Sequence, residues 1–170
     1  MPVALPDAES ALEQLAAQIR PDITADIALV GIHTGGVWVA QRLQQMLGVT
    51  VPVGTIDVAF YRDDYRKKGL APGVRPSDIR FKVEDAHIIL VDDVLYTGRT
   101  IRAAMNEIFD YGRPTSIRLA ALVDRGERQL PICPQYVGAQ LKVNSDAVIE
   151  LRRDDAGRLA LALIPGKAGV

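Results

Sequence analysis

Apolar residues at Ala8, Leu12, Leu15, Ala16 and Ile19 recur at helical spacing behind Asp7, which predicts an amphipathic helix with a carboxylate N-cap. The period then changes. A short apolar run at 26–32, closed by Gly31, His33 and the pair Gly35 and Gly36, predicts a buried strand entering a glycine turn. Val37, Ala40, Leu43 and Leu47 return to helical spacing, with Gly48 placed to end that helix. Residues 51–60 are β-branched and partly alternating, whereas 61–85 are dense in Arg, Lys, Asp, Gly and Pro. A loop of that length in a small domain predicts a mobile lid near a site. Residues 87–91 predict a strand, 92–99 a loop, and Thr100 the cap of a helix that turns Ile101, Ala104, Met105 and Ile108 inward. Gly112 and Pro114 stop that helix. A strand at 116–123 ends in Asp124, Arg125 and Gly126, and the remainder is β-rich. Segments 148–151 and 159–164 flank an Asp-Ala-Gly turn and predict a hairpin, while 165–170 are expected to fray.

Alternating strands and helices predict an α/β fold: a mainly parallel twisted sheet flanked by helices, with right-handed crossovers and a small β-rich hood. One domain spans 1–170, with 61–85 as its flexible lid loop. In such sheets ligands bind beyond the carboxyl ends of the strands, so the loops after Ile32, Val91 and Val123 should meet at one edge.

Composition narrows the function classes. The 48% hydrophobic content supplies a core for 170 residues, and a formal net charge of −1 gives no global positive field to attract nucleic acid or acidic lipid. The single cysteine, Cys133, cannot form an internal disulfide, and no Cys/His group has zinc-ligand spacing. No apolar run is long enough to cross a bilayer, and the first residues lack the basic-then-apolar order of a signal peptide, so a cytoplasmic location is expected, without a membrane partner. His33 and His87 read as a loop and a strand-edge residue, Trp38 as packing or interface area, and Cys133 as a thiol without an activating neighbour.

The most informative stretch is Ile88-Ile89-Leu90-Val91-Asp92-Asp93-Val94-Leu95-Tyr96-Thr97-Gly98-Arg99-Thr100. An apolar strand delivers two carboxylates, and hydroxyl and backbone donors follow at a helix start. Unpaired N–H groups and the helix dipole favour an anion there. Carboxylates are poor phosphate ligands but good acceptors for sugar hydroxyls and for hydrated Mg²⁺. That order suits a ribose carrying a 5′-phosphate. The bland alternative is a solvated strand end before an ordinary helix. A P-loop is excluded because no G-x-x-x-x-G-K-[ST] occurs, and a receiver domain would carry its acid pair early in the chain.

This stretch resembles the phosphoribosyl pyrophosphate motif of the type I phosphoribosyltransferases. Together with Ile56-Asp57, Tyr61-Arg62-Asp63-Asp64, Gly112-Arg113-Pro114, Val123-Asp124-Arg125-Gly126 and Leu130-Pro131-Ile132, it is similar to the PyrR family, bifunctional pyrimidine-operon attenuators with uracil phosphoribosyltransferase activity. The resemblance covers 27–151 and implies the type I phosphoribosyltransferase fold. It implies that uracil and phosphoribosyl pyrophosphate give UMP and pyrophosphate, in pyrimidine salvage. Asp92 and Asp93 then bind the ribose hydroxyls, as the candidate catalytic pair with Arg62, and are the only residues expected near Mg²⁺. Val94, Leu95, Tyr96, Thr97, Gly98, Arg99 and Thr100 complete the phosphoribosyl site. His33, Thr34, Gly35 and Gly36 form the pyrophosphate loop, with Arg62 as a further contact, and Arg125 and Val148 lie where the family contacts the nucleotide. Purine-using relatives carry Asp at the position of Tyr96, so Tyr96 agrees with a pyrimidine. The family's pyrophosphate loop reads Lys-Thr-Arg-Gly, whereas His33 and Gly35 replace both basic residues here, leaving Arg62, Lys67 or Lys68 to supply positive charge on closure.

The resemblance also implies a homo-oligomer, dimer or higher, and a second function: a UMP- or UTP-sensing attenuator that binds pyrimidine leader RNA. RNA-binding members have basic positions on the first helix, a His after Asp-Arg-Gly and a Lys further on. This chain has no basic residue in 11–18, Glu127 at the His position and Ala139 at the Lys position, leaving Arg20, Arg125 and Arg128 as a partial patch. A weak or lost RNA function is therefore expected.

Overall fold

The computed structural model describes residues 3–58 and 76–166. The first helix, α1 (Ala8–Ile19), starts where the Asp7 carboxylate accepts the Ser10 N–H at 2.9 Å, as its sequence signal requires, and ends in a short 3₁₀ turn, Arg20–Asp22. Strand β1 (Ile27–Ile32) is buried at every position. Helix α2 (Gly35–Leu47) follows and closes on Gly48 in the left-handed region. Then come β2 (Gly54–Ile56), β3 (His87–Leu95), α3 (Arg99–Tyr111), β4 (Ser116–Asp124) and β5 (Tyr136–Gln140). The five strands pair in parallel in the order β2-β1-β3-β4-β5. An antiparallel hairpin, β6 (Ala147–Arg153) and β7 (Leu159–Pro165), stands apart as the hood.

Because side chains alternate across a strand, an apolar run without polar interruption needs cover on both faces. Ile27, Leu29, Ile89, Val91, Ala120 and Leu122 pack with α1, α2 and the hood, whereas Ala28, Val30, Ile88, Leu90, Leu119 and Ala121 pack with α3.

Three boundaries differ from expectation. β3 does not stop at Val91 but continues through Leu95, because Asp92 and Val94 keep parallel register with Ala121 and Val123 of β4. α2 begins at Gly35, so both glycines are its first residues rather than a separate turn. α3 begins at Arg99 with Gly98 as N-cap, displacing Thr100 from that role. The lid expectation is corrected in part: Asp78 bridges to Thr55, Val83 is buried and Ile79 and Phe81 pack on the core, so 76–85 belong to the body. Residues 61–75, including Arg62, Lys67 and Lys68, lie outside the described residues. At the other end, Pro165 still pairs with Ala147, so the tail leaves the sheet one residue later than expected. Among the described residues no helix is long and apolar enough to cross a membrane.

The hood is tied to the body by Glu9. Its carboxylate accepts both terminal nitrogens of Arg42, at 2.7 and 3.1 Å, and the Leu159 N–H at 2.8 Å, while Arg42 also donates to the Gly157 carbonyl. The hydrogen bond from Arg42 holds the Glu9 carboxyl below the usual glutamate range, against the opposing effect of burial. A depressed folded pKa contributes stability above the ordinary glutamate value and loses it as pH falls through the folded value. E9Q is therefore expected to be less stable by about 1–2 kcal/mol near neutral pH, with the deficit shrinking below about pH 4. Chemical denaturation of both proteins across that range checks the sign.

Candidate phosphoribosyl site

Asp92 and Asp93 stand near the carboxyl end of β3, ahead of its last residue Leu95, and each carboxylate accepts the N–H of the residue after it: Asp93 N–H to Asp92 at 3.0 Å and Val94 N–H to Asp93 at 2.9 Å. Asp92 is only 4% exposed. Burying a carboxylate costs stability unless it is paired or hydrogen-bonded, and the Asp93 N–H meets part of that need at Asp92. The chain then passes through Tyr96, Thr97 and Gly98 into α3. Gly98 has φ +92°, in the left-handed region, and a side chain there would meet Ile132 at 2.9 Å, so the turn demands glycine twice over. Thr97 Oγ1 accepts the Arg99 N–H at 3.2 Å, and the Thr97 carbonyl is braced by the N–H groups of Gln129 and Leu130.

The second element of the candidate site is the start of α2, where His33 and Thr34 are joined by a cis peptide bond. Gly36 lies so close to β3 that a Cβ would meet the Val91 carbonyl oxygen at 2.6 Å, and a Cβ on Gly35 would meet the Asp93 carboxylate at 2.2 Å. The start of α2 is thus seated directly on the acid pair.

A cavity of about 310 Å³ opens above the acid pair, lined by Asp92, Asp93, Val94, Tyr96, Thr100, Arg125 and, from the hood, Ser145, Ala147, Val148 and Ile149. It brings together most of the expected phosphoribosyl and nucleotide residues. Leu95 instead points into the core, Gly98 packs on Ile132, and Arg99 is exposed with its Nε donating to Gln129. His33, Thr34, Gly35 and Gly36 adjoin the cavity through Asp93 rather than lining it. A larger groove of about 600 Å³ lies between α1, α2 and the hood turn, lined by Glu9, Trp38, Arg42, Arg153 and Arg158 among others. It holds no strand-end acid pair, so size is a poor guide here and the chemistry belongs to the smaller cavity. Trp38 there lies under the Arg153 guanidinium at 4.7 Å.

Arg128 carries a role the sequence reading missed. It is half-buried, and it donates to the Tyr96 carbonyl at 2.8 Å, the Ile132 carbonyl at 3.0 Å and the Asp124 carboxylate at 2.7 Å. Burial pushes the Asp124 carboxyl up, but the hydrogen bonds from Arg128 and the Gly126 N–H outweigh it and hold the group below the usual aspartate range. The spacing of four between Asp124 and Arg128 was the available signal. Of the partial basic patch, Arg125 is buried, Arg128 is turned inward, and Arg20 donates to the Met46 carbonyl, so the three do not form one exposed surface.

A parallel five-stranded sheet with an acid pair and a helix start at its carboxyl edge, under a separate hood, defines a phosphoribosyltransferase of type I. A phosphoribosyl transferase domain model matches residues 3–148. The "Bifunctional protein PyrR" of Pseudomonas putida (strain W619) is 47% identical over 165 residues, 90% of this chain and 96% of that protein. The protein of the same name from Syntrophobacter fumaroxidans is 49% identical over 151 residues, 85% of this chain and 81% of that one. Within the phosphoribosyltransferases the chain therefore belongs to the PyrR family. Among solved structures, the purine phosphoribosyltransferase of Pyrococcus horikoshii Ot3 superposes with a TM-score of 0.61 at 27% identity, covering 79% of this chain and 83% of that chain. An HGPRT-ase from Leishmania tarentolae in complex with GMP gives 0.63 at 21% identity over 82% and 81%, a likeness of fold.

Proposed function

We propose that the protein is a cytoplasmic uracil phosphoribosyltransferase, converting uracil and phosphoribosyl pyrophosphate to UMP and pyrophosphate. The observation that carries this reading is the single cavity in which Asp92 and Asp93 adjoin Tyr96 and Thr100 at the start of α3, with Arg125 and Val148 on the base side. In this reading the carboxylates take the ribose hydroxyls, the turn from Tyr96 to Thr100 takes the 5′-phosphate, and the start of α2 takes the pyrophosphate with Arg62. The bond from C1′ to the pyrophosphate oxygen breaks with its electron pair leaving on oxygen. Uracil N1 forms the new bond at C1′, and its proton passes to solvent. As positive charge develops at C1′, the negative acid pair is placed to stabilise it, and exclusion of water protects it from hydrolysis.

The donor set fits Mg²⁺ carried in by the substrate. Among the described residues no group of three or more His, Cys, Asp or Glu could hold a metal. One or two carboxylates completed by diphosphate oxygens and water is the usual magnesium arrangement, and Asp92 and Asp93 are oxygen donors of that kind. When bound, Mg²⁺ supplies charge neutralisation for the leaving pyrophosphate.

The name of the relatives, a bifunctional protein, supports a second reading in which the same pocket senses UMP or UTP and governs binding to pyrimidine leader RNA. The inward-facing Arg128 and buried Arg125 weigh against a strong RNA surface. Two measurements separate the readings. Product formation from phosphoribosyl pyrophosphate is assayed with uracil, cytosine, hypoxanthine and guanine, and turnover confined to uracil is expected. Absence of turnover with any pyrimidine would overturn the enzymatic reading. Gel shifts with a pyrimidine leader RNA, with UMP present at two salt concentrations, test the other: sequence-specific, salt-sensitive retention would establish it.

A further inference from the structure

Arg125 is 6% exposed, and it reaches across three separate elements. Its main-chain N–H donates to the Leu95 carbonyl at the end of β3, at 3.0 Å. Its guanidinium carbon lies 4.0 Å from the centroid of the Tyr96 ring, a stacked cation–π contact. Its terminal nitrogens donate to two carbonyls where the chain enters the hood, Ala147 at 2.8 Å and Asn144 at 3.3 Å. The remaining nitrogen, Nε, is buried without an acceptor among the described residues. Leaving a buried N–H unmatched costs stability, so stability alone does not explain the placement. Each terminal nitrogen gives an N–H to the hood, so the residue braces the cavity wall whether or not its remaining N–H groups reach a bound base.

We propose that Arg125 is a positioning residue: it latches the hood entry at 144–147 onto Tyr96, so that the hood wall of the cavity stands at a fixed distance from the acid pair and admits a single-ring base. Asn144, Ser145 and Asp146 are exposed between buried Val143 and Ala147, which packs on the core, and the hydrogen bonds from Arg125 add a polar tie from this segment to the sheet body. Tyr96 supplies the flat support, which an Asp at this position would not. The proposal rests on the uracil phosphoribosyltransferase reading for its substrate, but the latch itself is observable without turnover.

The test uses the full chain as wild type, R125A, R125K and the double variant R125A/Y96L, each checked for cooperative melting. R125A is expected to raise KM for uracil by about tenfold, the scale of one charge-assisted hydrogen bond, while KM for phosphoribosyl pyrophosphate stays within about twofold. Amide hydrogen exchange at 144–149 should quicken in R125A, and R125K should recover part of both effects because an ammonium can still donate to one carbonyl. The double variant should be no worse for uracil than R125A, since both changes open the same latch. Equal increases in both KM values, or a raised uracil KM with unchanged exchange at 144–149, would overturn the proposal. If R125A does not fold, R125K carries the test by the same two readouts. Absence of wild-type turnover would sink the enzymatic reading alone; the latch then stands or falls on exchange at 144–149 in wild type against R125K.

Discussion

Converting both strand-end acids to amides, D92N with D93N, is expected to lower kcat/KM for phosphoribosyl pyrophosphate by about 10³-fold or more, the scale of removing preorganised electrostatic stabilisation. The substitution preserves shape. In each carboxamide an oxygen remains to accept the N–H groups of Asp93 and Val94 that the carboxylates accept now. What is lost is charge, and charge matters most where C1′ becomes positive. The loss should therefore appear in kcat as well as in KM, because an interaction stronger in the transition state than in the ground state acts on the chemical step. Steady-state kinetics with the melting temperature as a control decide it. A loss confined to KM would reduce the acid pair to a ribose-binding device, and a loss below about tenfold would remove it from the chemistry altogether.

The largest expected effect on stability lies at Arg128. R128M keeps most of the side-chain volume but leaves the Asp124 carboxylate without its ion-pair partner and takes a donor from the Tyr96 and Ile132 carbonyls. Removing one member of a largely buried pair strands the other, and a cost of about 3–4 kcal/mol is expected. For a chain of this size that is a fall of about 10 °C in Tm. The pH dependence carries the sign of the mechanism. Asp124 is held below the usual aspartate range, so the pair's contribution is present above the ordinary aspartate pKa and fades as pH falls through the folded value. The gap between wild type and R128M should accordingly close in acid. A gap that stays constant down to about pH 3 would point to packing rather than charge.

The parallel sheet was legible because burial of both faces forces unbroken apolar runs, and those runs are plain at 27–32, 88–91 and 119–123, whereas the order of its strands came only with the structure. The hairpin around Asp154 and Gly157 was legible from its turn residues, although β6 extends further at both ends than the apolar segment alone implied. What the sequence hid was where β3 stops. Asp92 and Asp93 are poor strand formers by propensity, yet β4 pairs Asp92 with Ala121 and Val94 with Val123, and tertiary pairing outweighs local preference. The acid pair and the glycine turns stood out by residue type and order, whereas α2 and α3 both begin earlier than their sequence signals implied, at Gly35 and Arg99. The work done by Arg125 and Arg128 was not, because a basic residue near a nucleotide site reads by default as a ligand contact. Only coordinates reveal that Arg125 donates to the Ala147 and Asn144 carbonyls and Arg128 to the Tyr96 and Ile132 carbonyls and the Asp124 carboxylate.

The hood hairpin is gripped at its turn by Glu9 and Arg42, through Leu159 N–H and the Gly157 carbonyl, and at its root by Arg125. It behaves mechanically as a beam supported at two ends, not as a cantilever. The first helix is one of those supports, so it acts as a buttress for the base-facing wall some distance away, and shortening or replacing that helix should slacken nucleotide selection even though α1 contributes no side chain to the cavity.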